Sequence, residues 1–151
     1  MNPLLKIVPP VWFFMLLGIG LVVHFFVPAA RVFYFGDTII GIGLLVFGLV
    51  FSMYPSSLFA KEKTEILPTS ETNRFLITYG PYNWTRNPMY MGMVTALFGV
   101  AVWVGTLPLY IAALLFFCIF NFVIIPFEEA KLHRIFGEQY GAYRNKVRRW
   151  L

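Results

Sequence analysis

"RNPMYMGMVTALFGVAVWVGTLPLYIAALLFFCIFNFVIIPFEE", residues 86–129, is two apolar runs joined by Gly105-Thr106-Leu107-Pro108. Glycine and proline this close together punctuate a chain, so the segment reads as an antiparallel helical hairpin. Each run has roughly 17 to 19 residues, about what is needed to cross a hydrocarbon core of about 30 Å. The tight turn returns the chain to the interface it left. The polar residues at the two ends of the hairpin, Arg86 to Tyr90 and Glu128-Glu129, are therefore expected at one depth.

Two more apolar runs lie upstream. One is "VWFFMLLGIGLVVHFFV", residues 11–27, between Pro9-Pro10 and Pro28; the other is "TIIGIGLLVFGLVFSMY", residues 38–54. The first exceeds the usual signal-peptide core of about 7–15 apolar residues and has only Lys6 before it, so it reads as an uncleaved helix. The whole chain has 151 residues, 59% hydrophobic and only 13% charged. A soluble domain holds roughly 45–50% and 25%, so this chain is expected to be solvated by lipid. The expected fold is all-α: one domain over 1–151, with transmembrane helices at about 11–27, 38–54, 88–104 and 107–125. A cytoplasmic loop spans 55–87, and a helical cytoplasmic tail spans 127–151.

Charge sets the orientation. Lys6, the 55–88 segment (Lys61, Lys63, Arg74, Arg86) and the tail (Lys131, Arg134, Arg144, Lys146, Arg148, Arg149) fall on one side of four crossings. Arg31 alone falls on the other. Basic residues favour the cytoplasmic side, so both termini are expected there and the protein in the inner or cell membrane. The excess of positive charge therefore reads as a topology signal, and nucleic acid is not an expected partner. The lone Cys118 builds no disulfide within the chain. His24 and His133 are far apart and no zinc spacing is present, so no metal is expected. His24, the one ionisable group within the first two runs, reads as an interior histidine rather than a proton relay.

Chemistry is expected where the runs meet polar sequence. Asn87-Pro88 is a helix-start signal, Asn as cap and Pro at the first helical position. Gly80-Pro81-Tyr82 is a turn, and Tyr82, Trp84 and Tyr90 place rings about Arg86. Glu128 and Glu129 end the fourth run. Their plain reading is dipole compensation at the start of a tail helix, with Glu129 pairing His133 or a neighbour of Lys131. Glu128 also shares a helical face with Leu132 and Phe136. The stripe continues through Tyr140, Tyr143 and Val147, interrupted by Gly137, which is expected to divide the tail in two. Arg86, Asn87, the tyrosines and the glutamates are thus expected round a half-buried cavity roofed by the aromatic tail. Such a cavity suits a polar zwitterionic molecule brought to a lipid-borne substrate.

"GPYNWTRNPMYMG" at 80–92, a hydrophobic hairpin, and then "EEAKLHRIFGEQYGAYRNKVRRWL" at 128–151 resemble the isoprenylcysteine carboxyl methyltransferase and phospholipid methyltransferase superfamily. The resemblance runs through Arg86, Asn87, Pro88, Tyr90, Gly92, Glu128, Glu129, Phe136, Gly137, Tyr140 and Tyr143, about the C-terminal half of the chain. It implies an integral-membrane helical enzyme using S-adenosyl-L-methionine without a metal. It implies catalytic roles for Arg86, which orients an anionic acceptor, and for Glu129. It implies cofactor binding by Gly80, Tyr82, Asn87, Pro88, Met89, Tyr90, Met91 and Glu128, with Phe136, Tyr140 and Tyr143 as an adenine slot. The backbone N–H groups from Met89 to Met91 are expected to receive the cofactor's carboxylate. The acceptor is expected to be a lipid or isoprenoid. Asn87 stands where eukaryotic isoprenylcysteine enzymes carry His, and Asn does not serve as a base near neutral pH. Three other classes compete: a nicotinamide-dependent membrane reductase of similar C-terminal fold, a four-helix exporter, and a non-enzymatic membrane protein.

Overall fold

The computed structural model describes residues 7–27, 35–61 and 75–151. Lys6, Arg31, Lys63 and Arg74, which enter the charge count above, lie outside them. Every helical element follows from a local signal. Helix α1 (Pro9–Phe26) opens on Pro9-Pro10, where missing N–H groups are harmless. Helix α2 (Thr38–Lys61) is preceded by Asp37, whose Oδ1 accepts the Ile40 N–H at 2.8 Å. A 3₁₀ turn occupies Gly80–Asn83. Helix α3 (Pro88–Val104) ends at Gly105, which takes the left-handed φ of 76°, the usual glycine stop. Helix α4 (Leu107–Ile119) follows at once, closing the expected hairpin.

Two boundaries differ from expectation. Helix α2 does not stop at Tyr54. It runs through the buried Pro55 to Lys61, so the first part of the expected 55–87 loop is helical. The last apolar run does not end at 125 either. Helix α4 passes through a π turn at Phe120–Ile124 into α5 (Ile125–Phe136), and a second short helix, α6 (Glu138–Lys146), follows Gly137. Pro126 supplies the reason. In an α-helix its ring would press on the carbonyl of residue 122 and its own N–H would be missing. The wider π turn lies over that carbonyl, a common way of accommodating such an insult. Glu128 and Glu129 therefore sit inside a continuous helix, and the expected dipole compensation at a tail-helix start does not apply.

Among the described residues three helices are long and apolar enough to cross a membrane: Pro9–Phe26, Thr38–Phe59 and the combined Leu107–Phe136. Helix α3 is apolar but has 17 residues. At 1.5 Å per residue it covers about 26 Å, short of a core of about 30 Å. Length alone thus marks three helices, where four spans were expected.

Helices α2 and α3 pack with their backbones in contact. A Cβ built on Gly48 would stand 2.4 Å from the Ala96 nitrogen and 2.6 Å from the Gly92 oxygen. One on Gly41 would stand 2.4 Å from the Trp103 nitrogen, and one on Gly99 2.4 Å from the Leu45 nitrogen. Small residues at such spacings let helices approach closely where lipid offers no hydrophobic drive between them. Helix α1 covers α3 and α4 with Trp12, Phe13 and Leu16, which meet Phe116 and Phe120 in the main core. A second cluster forms outside the bundle, where Leu58, Ile77 and Tyr82 meet the tail stripe Leu132, Phe136, Tyr140, Tyr143 and Val147.

Gly48→Ala should lower thermal stability in detergent by about 1–3 kcal/mol, the usual cost of overpacking. Gly43, whose Cβ would meet nothing within 4 Å, serves as the control. Gly43→Ala should be neutral or stabilising, since Ala gains roughly 1 kcal/mol over Gly in a helix. Equal melting points for the two variants would remove the glycine seam from this account.

Candidate functional site

The start of α3, the inward face of α5 and the last turn of α2 enclose a cavity of about 520 Å³. Ligand sites occupy about 300–1,000 Å³. The walls divide by chemistry. Pro9, Pro10, Phe59, Phe75, Leu76 and Ile77 make an apolar side, while Arg86, Asn87, Glu128, Glu129 and Lys131 make a polar one. Tyr82, Tyr90, Tyr140 and Tyr143 lie among them.

Glu129 is the centre of the polar side. Its Oε1 faces Nη2 of Arg86 at 3.0 Å, and its Oε2 faces Nη2 of Arg149 at 2.7 Å. Arg149 also donates from Nε to Oε1 at 3.3 Å. The side chains of Arg86 and Glu129 retain 9% and 10% exposure, a depth at which an unpaired charge would be costly. The expected pairing of Glu129 with His133 or a neighbour of Lys131 is replaced by the two arginines. The geometry is that of a buried carboxylate held by charge-assisted, partly bidentate hydrogen bonds.

Arg86 is not used up by this contact. Its Nε and Nη1 are buried and make no hydrogen bond among the described residues. Buried donors without partners are rare in folded proteins, and these belong to a side chain on the cavity wall. Glu128 stands one position away with a different partner: Tyr90 donates its hydroxyl to Oε1 at 2.5 Å. A carboxylate offers about four acceptor positions, so this bond orients Glu128 and leaves acceptor capacity in the cavity. Three further tyrosines are neutral donors. Burial raises the hydroxyl pKa of Tyr82, of Tyr140, where Glu129 adds to the rise and the charge and hydrogen bond of Arg86 oppose it, and of Tyr143, where Tyr140 adds to it. Tyr143 spends its proton on the Tyr82 carbonyl at 2.8 Å, tying α6 to the 3₁₀ turn.

Several residues expected in the site stand elsewhere or differently. Asn87 precedes α3 but does not cap it with its side chain. Its Nδ2 donates instead to the Arg149 carbonyl at 2.9 Å, and its own N–H goes to the Thr85 hydroxyl at 3.2 Å. The Met91 N–H donates to the Asn87 carbonyl at 3.0 Å, so it is not directed into the cavity. Gly80 and Phe136 are not on the cavity wall. Gly80 supplies a positive φ of 64° to the turn that places Tyr82, and Phe136 packs in the cluster behind it. Trp84, expected near Arg86, is 68% exposed.

The residues missed from sequence are Thr85, Asn121 and above all Arg149. Arg149 reads as one more basic residue of the tail, and nothing local distinguishes it. Asn121 did carry a signal: it is the one amide within an apolar run that otherwise offers it no partner. In the structure it accepts from Arg149 Nη1 and from Trp150 Nε1, the latter at 2.9 Å.

Residues 37–139 match the model of the phospholipid methyltransferase family. A protein of Haemophilus influenzae described as uncharacterized is 33% identical over 63 residues, 42% of this chain and 100% of that protein. No solved structure matches.

Glu129→Ala strips two arginines of their common carboxylate. Breaking a buried pair in this way costs about 3–5 kcal/mol. The lower end is expected, because 29% of the Arg149 side chain remains exposed to screening. Denaturant unfolding in micelles reads it. Glu129→Gln, which keeps the volume and an acceptor, should lose less than Glu129→Ala.

Proposed function

Because the chain belongs to the phospholipid methyltransferase family, we propose that it transfers a methyl group from S-adenosyl-L-methionine to a lipid-borne or isoprenoid acceptor at the cytoplasmic membrane interface. The observation that carries this reading is the cavity with one polar and one apolar wall, with Arg86, Glu128 and Glu129 together on the polar one.

The residues present fit the cofactor. A zwitterionic nucleoside needs an acceptor for hydroxyls, a cation or backbone donor for its carboxylate, and a flat apolar slot for its base. Glu128, oriented by Tyr90, supplies the first; Tyr82, Tyr140 and Tyr143 with Ile77 supply the last. Pro88 and Met89 at the start of α3 line the same wall, near the positive end of the helix dipole. When bound, the cofactor would supply an electrophilic methyl group, which passes in line to an acceptor heteroatom as the sulfonium sulfur leaves as the neutral thioether of S-adenosylhomocysteine.

The protein's part is to position and to dry the site. Arg86 is the residue for an acceptor's anionic head: a guanidinium offers paired donors to carboxylate or phosphate. Glu129 holds Arg86 in place rather than moving a proton, since two cations grip its oxygens. Pro9-Pro10, Phe59 and Phe75 form the apolar wall against which an acyl or prenyl chain lies. The reductase alternative gains no specific observation. The polar wall is a single cluster, and a dinucleotide requires a second one.

In the proposed topology all four helices cross, α3 with its shorter length spanning a locally thinned bilayer, and both termini are cytoplasmic. Reporter fusions at residue 34 and at the C-terminus should then report opposite sides. Finding both on one side defeats the arrangement.

Titration with S-adenosylhomocysteine tests the chemistry. The wild type should bind it. Glu128→Ala should bind roughly ten- to a hundred-fold more weakly, the scale of a charge-assisted hydrogen bond of about 1.5–3 kcal/mol. Arg86→Ala should abolish methyl transfer to an identified lipid acceptor far more than it weakens cofactor binding. No binding by a folded wild type would sink the proposal.

A further inference from the structure

Arg149 lies outside the cavity wall and outside the residues matched by the family model, yet the polar side of the site converges on it. Its guanidinium is fully committed. Nε and Nη2 grip the two oxygens of Glu129, and Nη1 donates to the Asn121 carbonyl at 3.2 Å and to its side-chain oxygen at 3.4 Å. Its backbone is equally engaged. The Arg149 carbonyl accepts from the Thr85 hydroxyl at 3.0 Å and from Asn87 Nδ2, and the neighbouring Arg148 carbonyl accepts the Arg86 N–H at 3.0 Å. Three consecutive residues before α3, the π turn and α5 are thereby tied to one stretch of chain. Trp150 pins that stretch by stacking near Phe117, with ring centroids 5.0 Å apart.

We infer that Arg149 is a positioning residue for Arg86. Two guanidinium groups compete for one carboxylate. Arg149 takes the bidentate place on Glu129, so Arg86 meets that carboxylate through Nη2 alone, and its Nε and Nη1 stay off it. Without Arg149 the vacated Oε2 would draw a second nitrogen of Arg86 into the pair, because a lone buried carboxylate and a lone buried guanidinium gain most by closing on each other. Arg86 would be drawn fully onto Glu129 although every residue on the cavity wall remained. A Lys at 149 keeps the charge but supplies a point contact rather than a fork, so it is expected to release Arg86 in the same direction.

The role of those two donors rests on the function proposed above, but the positioning itself is read without any ligand. In protein labelled with ¹⁵N-arginine, Arg86→Lys assigns the Arg86 guanidinium signals. Hydrogen exchange at Arg86 Nε and Nη1 is then compared between the wild type and Arg149→Met. One of the two should slow by about tenfold in Arg149→Met, the scale of one added charge-assisted hydrogen bond. Arg149→Lys, the gentler change should Arg149→Met fail to fold, should slow exchange in the same sense. A merely structural anchor would lower the melting point and leave the Arg86 signals alone. Unchanged exchange in a folded Arg149→Lys variant therefore overturns the inference. S-adenosylhomocysteine titration of the same samples reads the function separately: wild-type protein that fails to bind it defeats the methyltransferase reading, while the exchange data still decide the role of Arg149.

Discussion

The bundle depends on the contact of two backbones. Gly41 and Gly48 in α2 face Gly99 and Gly92 in α3, with Ala96 between them, and no side chain fits in the seam. In lipid such a contact rests on dispersion and close fit, so it is exact in register: a shift of one residue puts a Cβ into a neighbouring carbonyl. That register sets the depth of the site. Gly92 lies against Ser52, one helical turn from Pro88 on α3 and one turn from Ser56 on α2. The polar mouth of α3 is thus brought beside the last turns of α2, where Ser56 and Phe59 border the cavity. The continuation of α2 through Pro55 builds a wall there, where an end at Tyr54 would have left an opening.

A second constraint is electrostatic. Glu129 is buried to 8% exposure and lies in a helix otherwise continuous with an apolar run. A lone carboxylate there would be expensive, and the fold meets the cost with cations from two distant places, Arg86 before α3 and Arg149 after α6. The chain on either side is joined as well, since the Arg86 N–H and the Thr85 hydroxyl meet the Arg148 and Arg149 carbonyls. The site's charges balance only when the beginning of the hairpin, its π turn and the C-terminal segment have met.

Much of this was legible in the chain and some was not, for separable reasons. Apolar run length located the helices, and the limits of α3 agree with 88–104 because a proline and a glycine mark both ends. The end of α2 and the continuation of α4 were misjudged for one reason: Pro55 and Pro126 look like breaks, and tertiary packing or a π turn absorbs each of them. The tail stripe from Leu132 to Val147 was legible because its periodicity is local, and Gly137 divides it as its sequence suggests. Most of the proposed site residues converge on one cavity, since the hairpin places its two ends at one depth. Asn87 was misassigned as a side-chain cap, and Arg149 was read as a topology charge. Both errors concern contacts across some sixty or twenty residues, which no spacing rule encodes.

The same geometry leaves Arg86 in a state that folding alone does not favour. Each buried donor left unmade costs about 1–3 kcal/mol, more when the group is charged. A protein under selection for stability alone would turn Arg86 fully onto Glu129 and recover that energy. If Arg149 positions Arg86 as proposed, it does so by occupying the place this rearrangement requires. A ligand that binds the folded protein and not the unfolded chain would add about 2.7 kcal/mol to folding stability at a hundred times its Kd. The arginine that settles how Arg86 meets Glu129 thus lies off the cavity wall.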